Sequence, residues 1–118
     1  MLTEKDYCDY DTCVALKELG YNDVTQFFFN KDEVRTPRTP LYEAQKWLRE
    51  DKKIIIEVNF NLMYKGQLRF SWRVLYNLTQ HKGTYYTFDA VKSKEDYDSF
   101  EEALWEGIKE AIKLLKEE

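Results

Sequence analysis

The sequence predicts an α+β domain in which a three- to four-stranded antiparallel sheet carries helices on one face. Two observations lead to this prediction. Between residues 54 and 76, apolar and polar side chains alternate with a period of two in two successive runs, as in half-buried strands. Between residues 100 and 115, apolar side chains recur at helical spacing and form a wide stripe. A hairpin followed by such a helix is typical of a sheet covered on one side.

Length and composition limit the classes of protein to consider. The chain has 118 residues, and we expect residues 1–118 to fold as a single domain. Apolar residues make up 43% of it, so a core can form without disulfides or metal ions. The net charge of −4 disfavours general nucleic-acid binding. The chain has neither a membrane-spanning apolar run nor a signal-peptide pattern, so we expect a cytoplasmic protein.

The first predicted helix lies between Thr3, a candidate N-cap, and Gly20, which suits the left-handed position after a helix. Tyr21 would then fold back onto the helix as an apolar residue. A short run with high β-propensity, residues 24–29, follows.

A polar connection is expected over residues 30–38. Both prolines of the chain, Pro37 and Pro40, lie in or beside it, and we expect this segment to be mobile. The second helix is predicted over residues 41–50, with Thr39 as N-cap and Pro40 at the first helical position, where its missing N–H costs nothing. Its apolar face consists of Leu41, Ala44, Trp47 and Leu48.

The central hairpin, residues 54–76, has one register that keeps apolar side chains together. A two-residue turn would set apolar residues opposite polar ones. A three-residue loop at residues 64–66 sets Leu62 opposite Leu68 and places Gly66 at a left-handed position. Because a slip of one residue moves every side chain to the other face, we expect this second register. It also pairs Phe60 with Phe70, Val58 with Trp72, Glu57 with Arg73 and Asn61 with Arg69.

A third strand is predicted over residues 84–88, after a loop over residues 77–83, with Tyr86 and Phe88 facing the core. The last helix follows a capping box, Ser99 to Glu102. Gly107 lies within its apolar stripe and marks a place where we expect close packing on the sheet.

Few residues suggest catalysis or metal binding. The chain has two cysteines, Cys8 and Cys13, and one histidine, His81, fewer than the four ligands of a structural zinc site. Within one regular helix the two thiols would point about 140° apart, so a disulfide is not expected. His81 is expected in a solvated loop. No common catalytic or nucleotide-binding motif occurs, so we expect a non-enzyme without catalytic residues, cofactor or metal ion. A hydrolase would need a deep pocket holding two or more carboxylates.

Two features suit binding to another macromolecule. A basic stretch over residues 35–53, which Arg69 and Arg73 could extend, would attract an anionic partner. Nine tyrosines and three tryptophans are typical of protein interfaces. The acidic balance lies elsewhere, because residues 93–118 hold nine acids and four bases. The candidate partner-binding residues are Arg35, Arg38, Arg49, Arg69, Arg73, Tyr64 and Tyr85.

Several segments together carry a family resemblance. They are TPL at residues 39–41, WLRE at 47–50, IIIEV at 54–58, FSWRV at 70–74 and YDSFEEA at 97–103. This succession resembles a family of small uncharacterised α+β proteins of gut anaerobes, their phages and their mobile elements. The resemblance covers most of the chain, but its motifs are structural and supply no site residues. It implies a cytoplasmic accessory protein.

The leading functional hypothesis from the sequence is a non-enzymatic protein-interaction domain with an accessory or regulatory role, which binds a protein partner or a second copy of itself. The alternative is a nucleic-acid-binding accessory protein that uses residues 35–53 with Arg69 and Arg73.

Overall fold

The computed structural model describes residues 4–21, 28–31, 34–62, 66–83 and 85–117. Within these ranges, a short 3-10 helix at Glu4–Asp6 precedes three α-helices and five strands. Strands β3 (Ile55–Leu62), β4 (Leu68–His81) and β5 (Tyr85–Lys92) form one antiparallel sheet in that order, and β1 (Phe28–Lys31) pairs with β2 (Val34–Pro37) in a separate antiparallel hairpin. The predicted α+β class and antiparallel sheet are confirmed. The α-helices are α1 (Tyr10–Glu18), α2 (Leu41–Asp51) and α3 (Phe100–Lys116).

Helix α1 begins later than predicted and ends as predicted. Its N-cap is Asp9, whose carboxylate accepts a hydrogen bond from the backbone N–H three residues further on, at 2.9 Å. Thr3, the predicted cap, lies outside the described residues. At the other end Gly20 has a φ of +109°, and the N–H of Tyr21 bonds to the carbonyl of Leu16 at 3.0 Å. This is the expected Schellman ending.

The segment predicted to be a polar, mobile connection holds the β1–β2 hairpin instead. Its register joins Phe28 to Pro37 and Lys31 to Val34. The prediction was wrong because these strands lack the period-two alternation that marks a half-buried strand. Residues 24–27 of the predicted run before the hairpin lie outside the described residues.

Helix α2 has the predicted apolar face and a different cap. Pro40, not Thr39, is the N-cap, with the extended backbone (φ −61°, ψ +145°) of that position, and no side chain caps the helix. Thr39 is buried beside the first helix, where its N–H donates to the Sγ of Cys13 at 3.5 Å. The face is otherwise confirmed, with Leu41, Ala44 and Leu48 buried and Trp47 half-buried.

The β3–β4 register is the predicted one. Gly66 has a φ of +75°, as the left-handed position of its turn requires, and residues 63–65 lie outside the described residues. The pairs include Leu62 with Leu68, Phe60 with Phe70, Val58 with Trp72, Glu57 with Arg73 and Asn61 with Arg69.

Strand β4 continues to His81, so the loop predicted over residues 77–83 is mostly strand and His81 lies in the sheet. A bulge at Asn77, whose φ is +53°, shifts the pairing of β4 with β5. The inward orientation predicted for Tyr86 and Phe88 was wrong, and both are exposed. Val91 lies opposite buried Val74, so odd-numbered residues of β5 take the core-facing side and even-numbered ones the other.

The core lies between α3 and the sheet. Ser99 caps α3, its Oγ accepting from the N–H of Glu102 at 3.1 Å, as the capping box predicts. The helix packs across β3 and β4, and its buried stripe meets Ile56, Trp72 and Val74 of the sheet. The buried residues of this stripe are Ala103, Leu104, Gly107, Ile108, Ala111 and Ile112.

Candidate functional site

The tip of the β3–β4 hairpin presents large apolar side chains to solvent. Phe60 and Leu62 of β3 are 71% and 74% exposed, Leu68 of β4 is 49% exposed, and Phe100 at the start of α3 is 44% exposed. We call these four residues the tip patch. The register and the alternation of β3 place the first three on the same face as buried Ile56. The tip patch therefore continues the apolar surface of the core beyond the edge of the core.

The strand residues of the patch are exposed because α3 does not extend over them. Helix α3 begins at Phe100, whose ring packs edge-to-face on Phe70 at 6.3 Å between centroids. At about 3.3 Å per residue, Leu62 lies roughly 20 Å along β3 from Ile56, beneath the middle of the helix. The last apolar pair of the hairpin, Leu62 with Leu68, extends past the N-terminus of the covering helix.

Polar contacts on the opposite face hold the hairpin to the loop before α3. Arg69 donates to the carboxylate of Asp98 and, at 2.8 Å, to the carbonyl of Asp96. The amide of Asn61 donates to the carboxylate of Asp96 at 3.3 Å. On the edge of β4, the backbone of Phe70 exchanges two hydrogen bonds with Tyr97, at 2.8 and 2.7 Å. These bonds fix the hairpin to the loop before α3, so the tip patch is a preformed surface.

The tip patch is large for an exposed apolar surface. Its four side chains expose on the order of 400 Å² of apolar surface, similar to the largest patch of many monomeric proteins, which is often functional. Exposed Asn61 and Gln67 adjoin it along the chain, and Asn61 faces the opposite side of the sheet. Exposed apolar side chains are the usual centre of a protein–protein interface.

The arginines predicted on the outer sheet face are present there but bind carboxylates of the same chain. Arg73 donates through Nε and Nη2 to Glu57 at 3.0 and 2.7 Å, which confirms the predicted cross-strand pair. Arg69 is held by Asp98 and the backbone of Asp96. Their positive charge is locally balanced.

The other predicted partner-binding residues are dispersed. The half-buried Arg38 lies with its guanidinium 4.8 Å from the centre of the Tyr7 ring. Arg49 is exposed on α2, and Tyr85 is exposed on β5. Arg35 lies in β2, and Tyr64 lies outside the described residues.

Strand β5 carries a second group of exposed aromatic rings. Tyr85 stacks on His81 at 4.9 Å between ring centroids. Tyr86 and Phe88 lie on the opposite face of the strand from Tyr85. Because the three rings are divided between two faces, they form a less continuous apolar surface than the tip patch.

A cavity of about 660 Å³ lies between the 3-10 helix and the N-termini of α1 and α3. Asp9, Asp98, Glu101 and Glu102 line it, so within the described ranges it is the place most similar to the pocket a hydrolase would need. Asp9 caps α1 and Asp98 binds Arg69, while the two glutamates occupy the first turn of α3. These carboxylates thus have structural roles, and the described residues hold no cluster of three potential metal ligands.

Cys8 and Cys13 do not share a helix, so the basis of the predicted divergence of the two thiols was wrong. The prediction placed both on one helix, but Cys8 precedes the N-cap and Cys13 is the fourth helical residue. Side chains at these two positions pack together in a hydrophobic staple. Both are buried free thiols, and the Sγ of Cys13 lies 3.7 Å from the carbonyl oxygen of Cys8.

The two thiols differ in pKa because of their surroundings. The hydrogen bond from Cys8 lowers the pKa of Cys13 to about 7, helped by the Thr39 N–H and opposed by burial. The same hydrogen bond, together with burial, raises the pKa of Cys8. Near neutral pH Cys13 is therefore the thiol of the pair that loses its proton more readily, and Cys8 stays protonated.

This difference predicts a pH dependence of stability. In the unfolded chain the pKa of Cys13 returns to its ordinary value of 9.0, so between about pH 7 and pH 9 the unfolded state binds more protons than the folded one. The free energy of unfolding should therefore rise over this interval, by on the order of 1 kcal/mol. Above pH 9 the raised pKa of Cys8 acts in the opposite direction.

Urea unfolding at a series of pH values measures this effect. Replacing Cys13 with Ala should flatten the rise in the free energy of unfolding between pH 7 and pH 9. Replacing exposed Lys113, also on a helix, with Ala should leave that rise in place. A wild-type stability that does not change over this interval would contradict the assignment of the thiolate to Cys13.

No family model matches the chain, and neither a curated protein nor a solved structure matches it. In the part of the chain that the structure describes, none of the helices combines the length and apolar character needed to cross a lipid bilayer.

Proposed function

We propose that this protein is a non-enzymatic interaction domain that binds a partner protein through the tip patch. The observation that carries the proposal is the exposure of Phe60 and Leu62 on the face of β3 that is otherwise core. Two apolar side chains in these positions contribute little to the fold. Their burial against another protein would release the water that now covers them.

The size of the tip patch indicates what the partner must supply. Burying about 400 Å² of apolar surface contributes roughly 10 kcal/mol before the costs of association. Those costs are of similar size, about 4–15 kcal/mol. A partner must therefore add apolar surface of its own and polar contacts beside the patch, for example with exposed Gln67.

The alternative, nucleic-acid binding through residues 35–53 with Arg69 and Arg73, has less support. Both sheet arginines are engaged by carboxylates, and the exposed side chains of the tip patch are apolar. Phosphate binding would require these ion pairs to open. Binding of DNA or RNA that weakens steeply with added salt would favour this alternative over ours.

The cytoplasmic location and the likeness to accessory proteins of phages and mobile elements remain predictions from the sequence. They agree with the proposed role, since a small interaction domain acts by bringing other proteins together. A second copy of the chain is one candidate partner, and a different protein is the other.

Two double variants test the proposal. Replacing Phe60 and Leu62 with Ser removes the most exposed part of the tip patch, and replacing Tyr85 and Tyr86 with Ser changes exposed rings on β5 as a matched control. The tip variant should lose partner affinity by about tenfold or more, because central apolar residues often contribute over 1 kcal/mol each to binding. Sedimentation measures self-association, and quantitative mass spectrometry after capture from cells of the source organism measures other partners.

The control variant should retain the partners and oligomeric state of the wild type. Melting temperatures of both variants should stay close to the wild-type value, because the replaced side chains are exposed. The proposal would be wrong if the tip variant kept every interaction of the wild type, or if only the β5 variant lost them.

A further inference from the structure

The buried thiols of Cys8 and Cys13 form a reactive pair that the proposed function does not use. We propose that this pair is an oxidation site at which hydrogen peroxide converts the two thiols into an intramolecular disulfide. The inference depends on the geometry of the α1 N-terminus and is independent of the tip patch.

The two sulfurs are held together by the way α1 begins. Asp9 caps the helix, which sets Cys8 just before it and Cys13 one turn inside it. The N–H of Cys8 donates to the carbonyl of Thr39 at 2.8 Å, and the N–H of Thr39 donates to the Sγ of Cys13 at 3.5 Å. Both cysteines are thus fixed to one residue of a neighbouring segment, and the Sγ of Cys13 lies 3.7 Å from the carbonyl oxygen of Cys8.

One thiol of the pair is prepared as a nucleophile. The Thr39 N–H and the Cys8 thiol both stabilise negative charge on Cys13, which accords with its pKa of about 7. A thiolate, not a thiol, attacks peroxide. Cys8 also lines the cavity of about 660 Å³ beside α1 and α3, so a molecule as small as peroxide can reach this side of the pair, whereas Cys13 does not line the cavity.

The reaction proceeds in two balanced steps. The Cys13 thiolate attacks one peroxide oxygen, an S–O bond forms as the O–O bond breaks, and the departing hydroxide takes a proton to become water. The Cys8 sulfur, giving up its proton, then attacks the sulfenic sulfur of Cys13, so that the S–S bond forms and a second water leaves. Two thiols lose two electrons in total, and one peroxide is reduced to two waters.

Oxidation would change the junction around Thr39. A disulfide sulfur is neutral, so the Thr39 N–H would lose its thiolate acceptor. Tyr7 forms a backbone bridge to Pro40 next to this contact, and Pro40 is the N-cap of α2. Amide hydrogen exchange at Arg38 and Thr39 should therefore be faster in the oxidised protein than in the reduced one.

Peptide mapping of the wild-type chain tests the proposal. Trypsin cleaves after Lys5 and Lys17, so both thiols lie on one peptide, residues 6–17. After peroxide treatment at pH 7 and alkylation, this peptide should lack two hydrogens and carry no alkyl group, and dithiothreitol should restore both thiols. The folded chain should react roughly tenfold faster than the chain in urea, since the thiolate is preformed and its partner is in place.

Single variants provide the controls. Cys8→Ala and Cys13→Ala should form no intramolecular disulfide, and circular dichroism shows whether each variant folds. The wild-type experiment decides the question even if a variant does not fold. Recovery of a doubly alkylated peptide, of sulfinic or sulfonic acid without a disulfide, or of a reaction no faster than in urea would overturn the proposal and leave the pair as a hydrophobic staple only.

Discussion

Truncating Ile56 to Ala should lower the free energy of unfolding by about 2–5 kcal/mol, whereas Phe60→Ala on the same face of β3 should lower it by less than about 0.5 kcal/mol. Ile56 is 3% exposed and lies under α3 beside Gly107, so its loss leaves a cavity. Phe60 is mostly in contact with solvent, and its removal creates none. Urea denaturation of the two variants and the wild type measures both values.

The two variants test where the buried core ends along β3. The tip patch is defined as lying beyond that point. The two positions are four residues apart, share a face and a strand, and differ in whether α3 covers them. Equal and large losses at both positions would show that Phe60 is part of the core, and the proposed binding surface would then be wrong. A negligible loss at Ile56 would contradict the placement of α3 over β3.

The register of the central hairpin could be predicted because two independent signals agree. Side-chain alternation fixes which residues share a face, and Gly66 fixes where the chain turns. The ending of α1 at Gly20 was predictable for a similar reason, since a glycine followed by an apolar residue is typical of a Schellman ending. Local chemistry determines these features.

The exposed state of Phe60 and Leu62 could not be predicted in this way. Alternation identifies the apolar face of a strand, but it does not show how far a helix from another part of the chain extends along that face. The same limit applies to β5, where the bulge at Asn77 and the pairing of Val91 with Val74 decide which side chains face inward. These features depend on tertiary geometry.

The contact between Cys8 and Cys13 was missed because the start of α1 is ambiguous in the sequence. Thr3, Asp6 and Asp9 are all suitable N-caps, and only the last of them places the two cysteines at staple positions. The three N-caps can therefore be distinguished by the side-chain contacts that each of them would create.

Replacing Gly107 with Val should lower the free energy of unfolding by about 3 kcal/mol or more, and Gly107→Ala by a smaller amount. A Cβ at this position would lie 2.8 Å from Cγ2 of Ile56 and 3.4 Å from Cβ of Trp72. Neither atom can move away easily, because both lie near the backbone of paired strands. Ala would contribute about 1 kcal/mol of helix propensity, which only partly offsets the overpacking. Lys113→Val, at an exposed position of α3, is the control for a β-branched residue in this helix.

A double-mutant cycle separates the steric clash from other effects of Gly107. In a chain that already carries Ile56→Ala, the Cγ2 atom is gone, and Gly107→Ala should become stabilising by up to about 1 kcal/mol as the helix propensity acts alone. The effects of the two substitutions depend on each other only if α3 and β3 approach each other at this point. An alanine at position 107 with the same effect in both backgrounds would show that Ile56 is not what the glycine accommodates, and the close contact that defines this layer of the core would be disproved.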